Sequence, residues 1–289
     1  MTTMENGTNV TSTPGFENAK KHYMLPNNQR EIERMRNQHE WIKISFGGLI
    51  KAPIDFSKKH QKILDAATAD GTWLLDARTL FPPETELVGF DIAPELFGPP
   101  ELRPQNVSLV TADLLEGLPA EWDGCFDLVH QRFVCPNFSS DIVSQVLGGL
   151  MKCVKPGGWI QLVEPCAGEN VSGPDPKWFL LLHQLSNHFM RSAAPRDAIL
   201  AALKDGGFAN ISVESLDIVI GKHQANKEMD ARGRRSMQDA VRNMYSMVSS
   251  EQLGMPKEDL ETVLGRFEAD IEKYRTAVRH IIIWAQRPE

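Results

Sequence analysis

The residues of this chain best placed to do chemistry are three acids, each just beyond a short apolar run. Asp65 ends Lys62–Asp65, Asp91 closes Leu87-Val88-Gly89-Phe90, and Asp113 stands in Thr111-Ala112-Asp113-Leu114 after Val107-Ser108-Leu109-Val110. Between the first two lies Ala66-Ala67-Thr68-Ala69-Asp70-Gly71, which carries almost no side-chain bulk. Backbone can approach a ligand closely through such a loop, and the N-terminus of a helix over Thr72–Leu80 stands behind it. An acid closing the second strand can accept from two ribose hydroxyls at once. An acid after the third can accept an adenine amine, with the Leu114 N–H on a ring nitrogen.

These groups describe a nucleotide-like ligand without phosphates. A dinucleotide fingerprint needs G-x-G-x-x-G, whereas only Gly71 remains here and Asp70 would repel a phosphate. Asp65 suits a cationic or amino-bearing group. S-adenosylmethionine carries a ribose, an adenine, an α-amino group and a sulfonium, so it fits; an ordinary βαβ turn with incidental acids is the competing reading. The expected cofactor contacts are Asp65, Ala67, Gly71, Asp91, Ile92, Asp113 and Leu114. Methyl transfer from a sulfonium mainly requires positioning and exclusion of water. A base is needed only where the acceptor must lose a proton. His130, at the end of Phe126–His130, is the first candidate beside the reacting group, and it is counted with the cofactor contacts. A satisfied structural histidine is the alternative. His183, on a helix with His188, and Glu164, ending Trp159–Glu164, complete the catalytic candidates. Arg132 either pairs with a nearby acid or holds an acidic substrate.

The elements that must position these groups alternate in type. Strands at 62–65, 87–90, 107–110, 126–130 and 159–164 are separated by helix-length segments, among them Ile142–Val154 before a Lys155–Gly158 turn. That pattern predicts a mainly parallel sheet with the ligand at its carboxyl edge. Helices over Asn28–Phe46, Pro176–Arg191 and Pro195–Asp205 are expected, then strands at Phe208–Ile220 and Arg279–Pro288. The Met-rich stretch Lys222–Tyr274 lies between those last two strands. It is expected to form a substrate-selecting cap, whose methionines either line a pocket or pack in the core.

The string LDxxxxxGxW, VGxDIxP, ADxxE, FDLVHxR, KPGGWIQLxE resembles class I methyltransferases. Upstream, Tyr23-Met24-Leu25-Pro26-Asn27, Glu31, Arg34, Gln38-His39, Gly47-Gly48 and Ala52-Pro53-Ile54-Asp55 resemble the start of fungal LaeA-like (UMTA-type) methyltransferases. The resemblance implies an α/β, Rossmann-like fold with a seven-stranded, mainly parallel sheet. It also implies a helical lid over the cofactor cleft, reached by Tyr23, and methyl transfer to N, O or S of a small fungal secondary metabolite. A cofactor-binding enzyme that does not methylate (pericyclase-like) and a LaeA-like regulatory protein are the alternatives. The expected organisation is a disordered tail at 1–20, a lid at 21–60 and a methyltransferase domain at 61–289, with insertions at about 170–194 and 222–274. Where the family usually has D-x-G-T-G-T-G, this chain has alanines at 67 and 69. Alanine is tolerated there at negative φ and costly at positive φ.

Composition narrows the partners. With 289 residues, 42% hydrophobic, one large domain is expected, and a formal charge of −7 argues against nucleic acid. Arg232-Gly233-Arg234-Arg235 is too short to reverse this and reads as a solvated helix start. Cys125, Cys135, Cys153 and Cys166 lack metal-ligand spacing and read as buried free thiols, with no metal expected. No apolar run approaches the ~20 residues of a membrane span. The N-terminus lacks a secretory signal, so a cytoplasmic location is expected.

Overall fold

The computed structural model describes residues 29–173 and 195–289, apart from positions 248 and 255. Tyr23, the expected N-terminal tail, and the helix expected over Pro176–Arg191 with His183 and His188 lie outside the described residues.

One sheet of seven strands runs in the order β3-β2-β1-β4-β5-β7-β6. The strands are β1 (Lys62–Ala66), β2 (Glu86–Asp91), β3 (Val107–Thr111), β4 (Phe126–Arg132), β5 (Val154–Pro165), β6 (Ala209–Ile220) and β7 (Thr276–Gln286). Strands β1 to β5 pair in parallel, and β7 is antiparallel to both of its neighbours. Helices on both faces bury the parallel strands, which explains their unbroken apolar runs. Strand order reverses between β1 and β4, and a crevice opens at the carboxyl ends there.

The described helices are α1 (Gln29–Phe46), α2 (Thr72–Ala77), α3 (Ser140–Cys153), α4 (Arg196–Asp205), α5 (Lys227–Met247), α6 (Ser250–Leu253), α7 (Lys257–Glu261) and α8 (Val263–Lys273). Val143, Leu147 and Leu150 of α3 and Ile199 and Leu203 of α4 pack with Leu64, Val129 and Ile160 of the sheet. Trp73 and Leu74 of α2 join Ile63, Leu87 and Leu128 in a second cluster. Trp41 of α1, Val241 of α5 and Phe267 and Ile271 of α8 meet Ile220 and Ile282 in a third.

Several local expectations change. The helix after the first loop is regular only to Ala77 and tightens into a 3₁₀ turn at Arg78–Leu80, and Leu75 is exposed. The Lys155–Gly158 segment is not a free turn. It belongs to β5, where the register shifts between Phe126 and Leu128 and Gly157 adopts φ +74°. Cys135, Cys153 and Cys166 are buried free thiols, whereas Cys125 is exposed. The basic run sits in α5: Arg232 pairs with Glu228, and Arg234 with Asp230, Glu268 and Glu272.

Gly89 sets how closely α2 and the following loop approach the sheet. A Cβ there would stand 2.7 Å from Leu74 and 2.8 Å from both Leu109 and Thr68. Gly89→Ala should therefore destabilise the chain by about 1–3 kcal/mol through overpacking. Thermal unfolding checks this, and an unchanged midpoint would show that α2 can retreat at no cost.

Candidate active site

A cavity of about 400 Å³ opens at the carboxyl ends of β1 to β4. The loop after β1, Asp91, Ile92, Asp113 and Leu114 form one part of its wall, and α1 and α5 contribute another. The loop's shape depends on backbone that alanine adopts reluctantly. Ala67 and Ala69 both have φ +51°, and Gly71, the cap residue before α2, has φ +80°. The costly alternative foreseen for the alanine-substituted loop is therefore the one realised. Local bonds hold it in place. Thr68 N donates to Phe90 O at 2.9 Å, Gly71 N to Thr68 O at 3.0 Å, and Ala69 N to Asp91 Oδ2 at 2.8 Å.

Asp65 lines the cavity with each carboxylate oxygen already engaged by one protein donor, which leaves acceptor capacity on both. Its Oδ2 accepts from Thr68 Oγ1 at 2.6 Å and its Oδ1 takes His130 Nδ1 at 2.7 Å. Asp91 accepts from Ala69 N and from Ala93 N, and burial raises its pKa, with Asp65 adding to the rise. Asp113 Oδ1 accepts from Leu115 N at 2.8 Å, while its Oδ2 is buried with no protein partner. Gly71 is not in the cavity wall; a Cβ there would meet Leu109 at 3.1 Å, so its role is to let the loop turn against β3.

His130 lies within β4 rather than at its end, fully buried, its ring stacked on Trp73 with centroids 3.8 Å apart. With Asp65 holding Nδ1–H, Nε2 carries the lone pair, and that atom has no partner. Burial lowers the His130 pKa despite Asp65, so the imidazole is neutral. Glu164 does not line the cavity. Its Oε1 accepts from Gln131, Val134 N and Cys135 N, and burial lifts its pKa to about 7. It fixes the turn after β4 and lies outside the cavity wall, unlike His130 among the catalytic candidates.

Sequence reasoning missed Trp41, Phe133, Phe138 and His280, which also line the cavity. They come from α1, the turn after β4 and β7, so only the tertiary fold brings them together. Met237 and Met244 take the pocket-lining alternative, while Met229 is buried in the core. Phe133 has φ +62°, an uncommon conformation for an aromatic residue, of the kind that clusters at functional sites. His280 packs edge-on to Trp41 at 5.8 Å, and burial pushes its pKa down to about 4. His39, Glu40 and Asp76 cluster closely, but Lys43 Nζ, 2.7 Å from Asp76, already supplies positive charge.

Because both alanines sit at positive φ, Ala67→Gly and Ala69→Gly should each stabilise the chain or leave it unchanged, with a gain of up to about 1 kcal/mol. Denaturant unfolding of the two variants measures this. A loss beyond that size would mean that the alanine methyls make packing contacts worth more than the backbone strain.

Comparison with known proteins is consistent with this geometry. A family model described as a methyltransferase domain matches residues 29–213. The chain is 77% identical over 274 residues to N-methyltransferase verN of Clonostachys rogersoniana, covering 95% of this chain and 96% of that protein. It is 29% identical to N-methyltransferase gliN of Aspergillus fumigatus, over 96% of this chain and all of that one (100%). Among solved structures it resembles phosphoethanolamine N-methyltransferase 2 of Haemonchus contortus in complex with phosphomonomethylethanolamine and S-adenosylhomocysteine. That match has a TM-score of 0.50 at 14% identity, over 95% of this chain and 57% of the other, and it shows the shared fold alone. A reversed strand order with acids at its carboxyl edge, joined to a family match over most of the chain, settles the assignment: the chain belongs to the methyltransferase-domain family.

Proposed function

We propose that the chain transfers a methyl group from S-adenosylmethionine to a nitrogen of a small, largely apolar molecule. The observation that carries the cofactor reading is Asp113 Oδ2, a buried carboxylate oxygen without a protein partner in the cavity wall. Such an atom is costly unless a ligand donates to it, and the adenine amine is a donor of the right kind. Asp91, buried with its pKa raised, would take the ribose hydroxyls in the same way. When bound, S-adenosylmethionine supplies a methyl group already activated by its sulfonium. The residues of the chain then have three tasks. Asp91 and Asp113 orient the adenosine. The α1 helix and the aromatic wall keep out water. Neutral His130, its proton held toward Asp65, is able to receive a proton at Nε2 from the acceptor.

The choice of nitrogen follows the relatives from C. rogersoniana and A. fumigatus, both named N-methyltransferases. A small, uncharged acceptor fits the wall formed by Trp41, Phe133, Phe138, Met237 and Met244. The upstream motifs Glu31, Arg34 and Gln38-His39, all on α1, support the finer reading that the chain is LaeA-like and serves fungal secondary metabolism. No described helix is long and apolar enough to cross a membrane. The four free cysteines support a reducing, cytoplasmic setting.

Calorimetry with S-adenosylhomocysteine tests the cofactor site. Asp91→Ala should weaken binding by about ten-fold or more, the worth of charge-assisted hydrogen bonds at roughly 1.5–3 kcal/mol. Asp113→Asn should cost less than Asp113→Ala, because the amide keeps an acceptor. Unchanged affinity in all three variants would remove the assignment. For the acceptor, cofactor carrying a labelled methyl group should leave its label on nitrogen in an extract of fungal metabolites; label on oxygen or sulfur would overturn that choice.

A further inference from the structure

Arg132 closes β4 and lines the cavity, yet among the described residues no carboxylate lies within ion-pairing distance of its guanidinium. The partners it does have are neutral. Nη2 donates to His39 Nδ1 at 3.3 Å, and the guanidinium lies 5.4 Å from the centre of the Phe133 ring. His39 is buried, and its Nε2 donates to Asp76 Oδ2 at 2.9 Å. That bond assigns the imidazole proton to Nε2 and leaves Nδ1 as an acceptor facing Arg132. Lys43 and Glu40 complete the far side of the cluster, with Lys43 Nζ 2.7 Å from Asp76 and 2.8 Å from Glu40. Asp76 is thus neutralised by Lys43, His39 stays uncharged, and the positive charge of Arg132 is left facing the cavity.

Three further charged groups of the wall are engaged by other residues. Asp65 is held by Thr68 and His130, Asp70 by Arg36 at 2.7 Å, and Arg34 grips Glu31 through both Nε and Nη2. Strand order then places the ligand's two ends. Asp91 closes β2 and Asp113 follows β3, on one side of β1, while Arg132 closes β4 on the other. A ligand whose adenosine lies over β2 and β3 and which crosses the tip of β1 brings its remaining end to β4. In S-adenosylmethionine that end carries an α-carboxylate.

We infer that Arg132 binds the carboxylate of the cofactor's amino-acid end, and that His39, oriented by Asp76, is a positioning residue that aims the guanidinium. The inference rests on the S-adenosylmethionine reading above. A neutral acceptor suits this task better than a carboxylate would. It fixes the guanidinium plane without cancelling the charge the ligand needs, and a planar guanidinium meets a carboxylate with two parallel hydrogen bonds.

The test compares S-adenosylhomocysteine, which has the carboxylate, with 5′-methylthioadenosine, which lacks the amino-acid end. Affinities are measured by calorimetry on the full-length protein. Arg132→Gln should weaken S-adenosylhomocysteine by about ten-fold or more and methylthioadenosine by less than about two-fold, with Arg132→Lys between wild type and Gln. His39→Phe should show the same selective loss in smaller measure. His39→Asn, whose Oδ1 can accept from the guanidinium, should recover most of it. Methylthioadenosine binding serves as the control that each variant is folded. If Arg132→Gln leaves both affinities unchanged, or lowers both equally, the inference is overturned. If the wild-type protein binds neither ligand, it is the cofactor reading that fails.

Discussion

The site is organised around one buried pair. Asp65 and His130 are direct neighbours across β1 and β4, at the point where the strand order reverses. A carboxylate taken out of water there must be matched by donors, because an unpaired buried charge costs several kcal/mol. His130 Nδ1 and Thr68 Oγ1 meet that need. In doing so they set the histidine's tautomer, hold its ring flat against Trp73, and pull the loop after β1 over the end of its strand. The loop, the stack and the neutral imidazole follow from satisfying a single carboxylate.

The loop illustrates how position can outweigh local preference. Two alanines and one glycine all hold positive φ. Left-handed backbone disfavours alanine by roughly 1–2 kcal/mol per residue, yet the conformation persists. The Ala69 N–H is bonded to Asp91, Thr68 N–H to Phe90, and the Thr68 side chain to Asp65. Strain in the backbone is offset by bonds that also shape the ligand wall, and this is where stored strain is expected in an enzyme.

The α1 helix ties the early and late parts of the chain together. Asn37 donates to Arg232 O and Ser236 Oγ, and Asn243 reaches Glu31, so α1 and α5 pack as a unit. Gly233 makes the approach possible, since a Cβ there would stand 2.6 Å from Ile220 and 3.2 Å from Trp41. The same helix delivers His39 and Trp41 to the cavity. Segments as much as 212 residues apart thereby cover one site, and the cover is built by packing, not by a local motif.

Much of the framework was legible in the residues themselves. Apolar runs of strand length ending in acids, with helix-length spacers, determine a mainly parallel α/β sheet and place Asp91 and Asp113 at its carboxyl edge, because side-chain periodicity and burial on both faces leave few other arrangements. The small loop and its closing acid identified a phosphate-free nucleotide ligand. What the sequence left open turns on contacts distant along the chain. The sign of φ at Ala67 and Ala69, the engagement of Asp65 by His130, the withdrawal of Glu164 from the cavity, and the meeting of Trp41, Phe133 and His280 each depend on elements that only folding makes neighbours. A carboxylate at a strand end is visible in one dimension. Whether it faces a ligand or another side chain depends on which donors the tertiary structure brings within about 3 Å, the reach of a hydrogen bond.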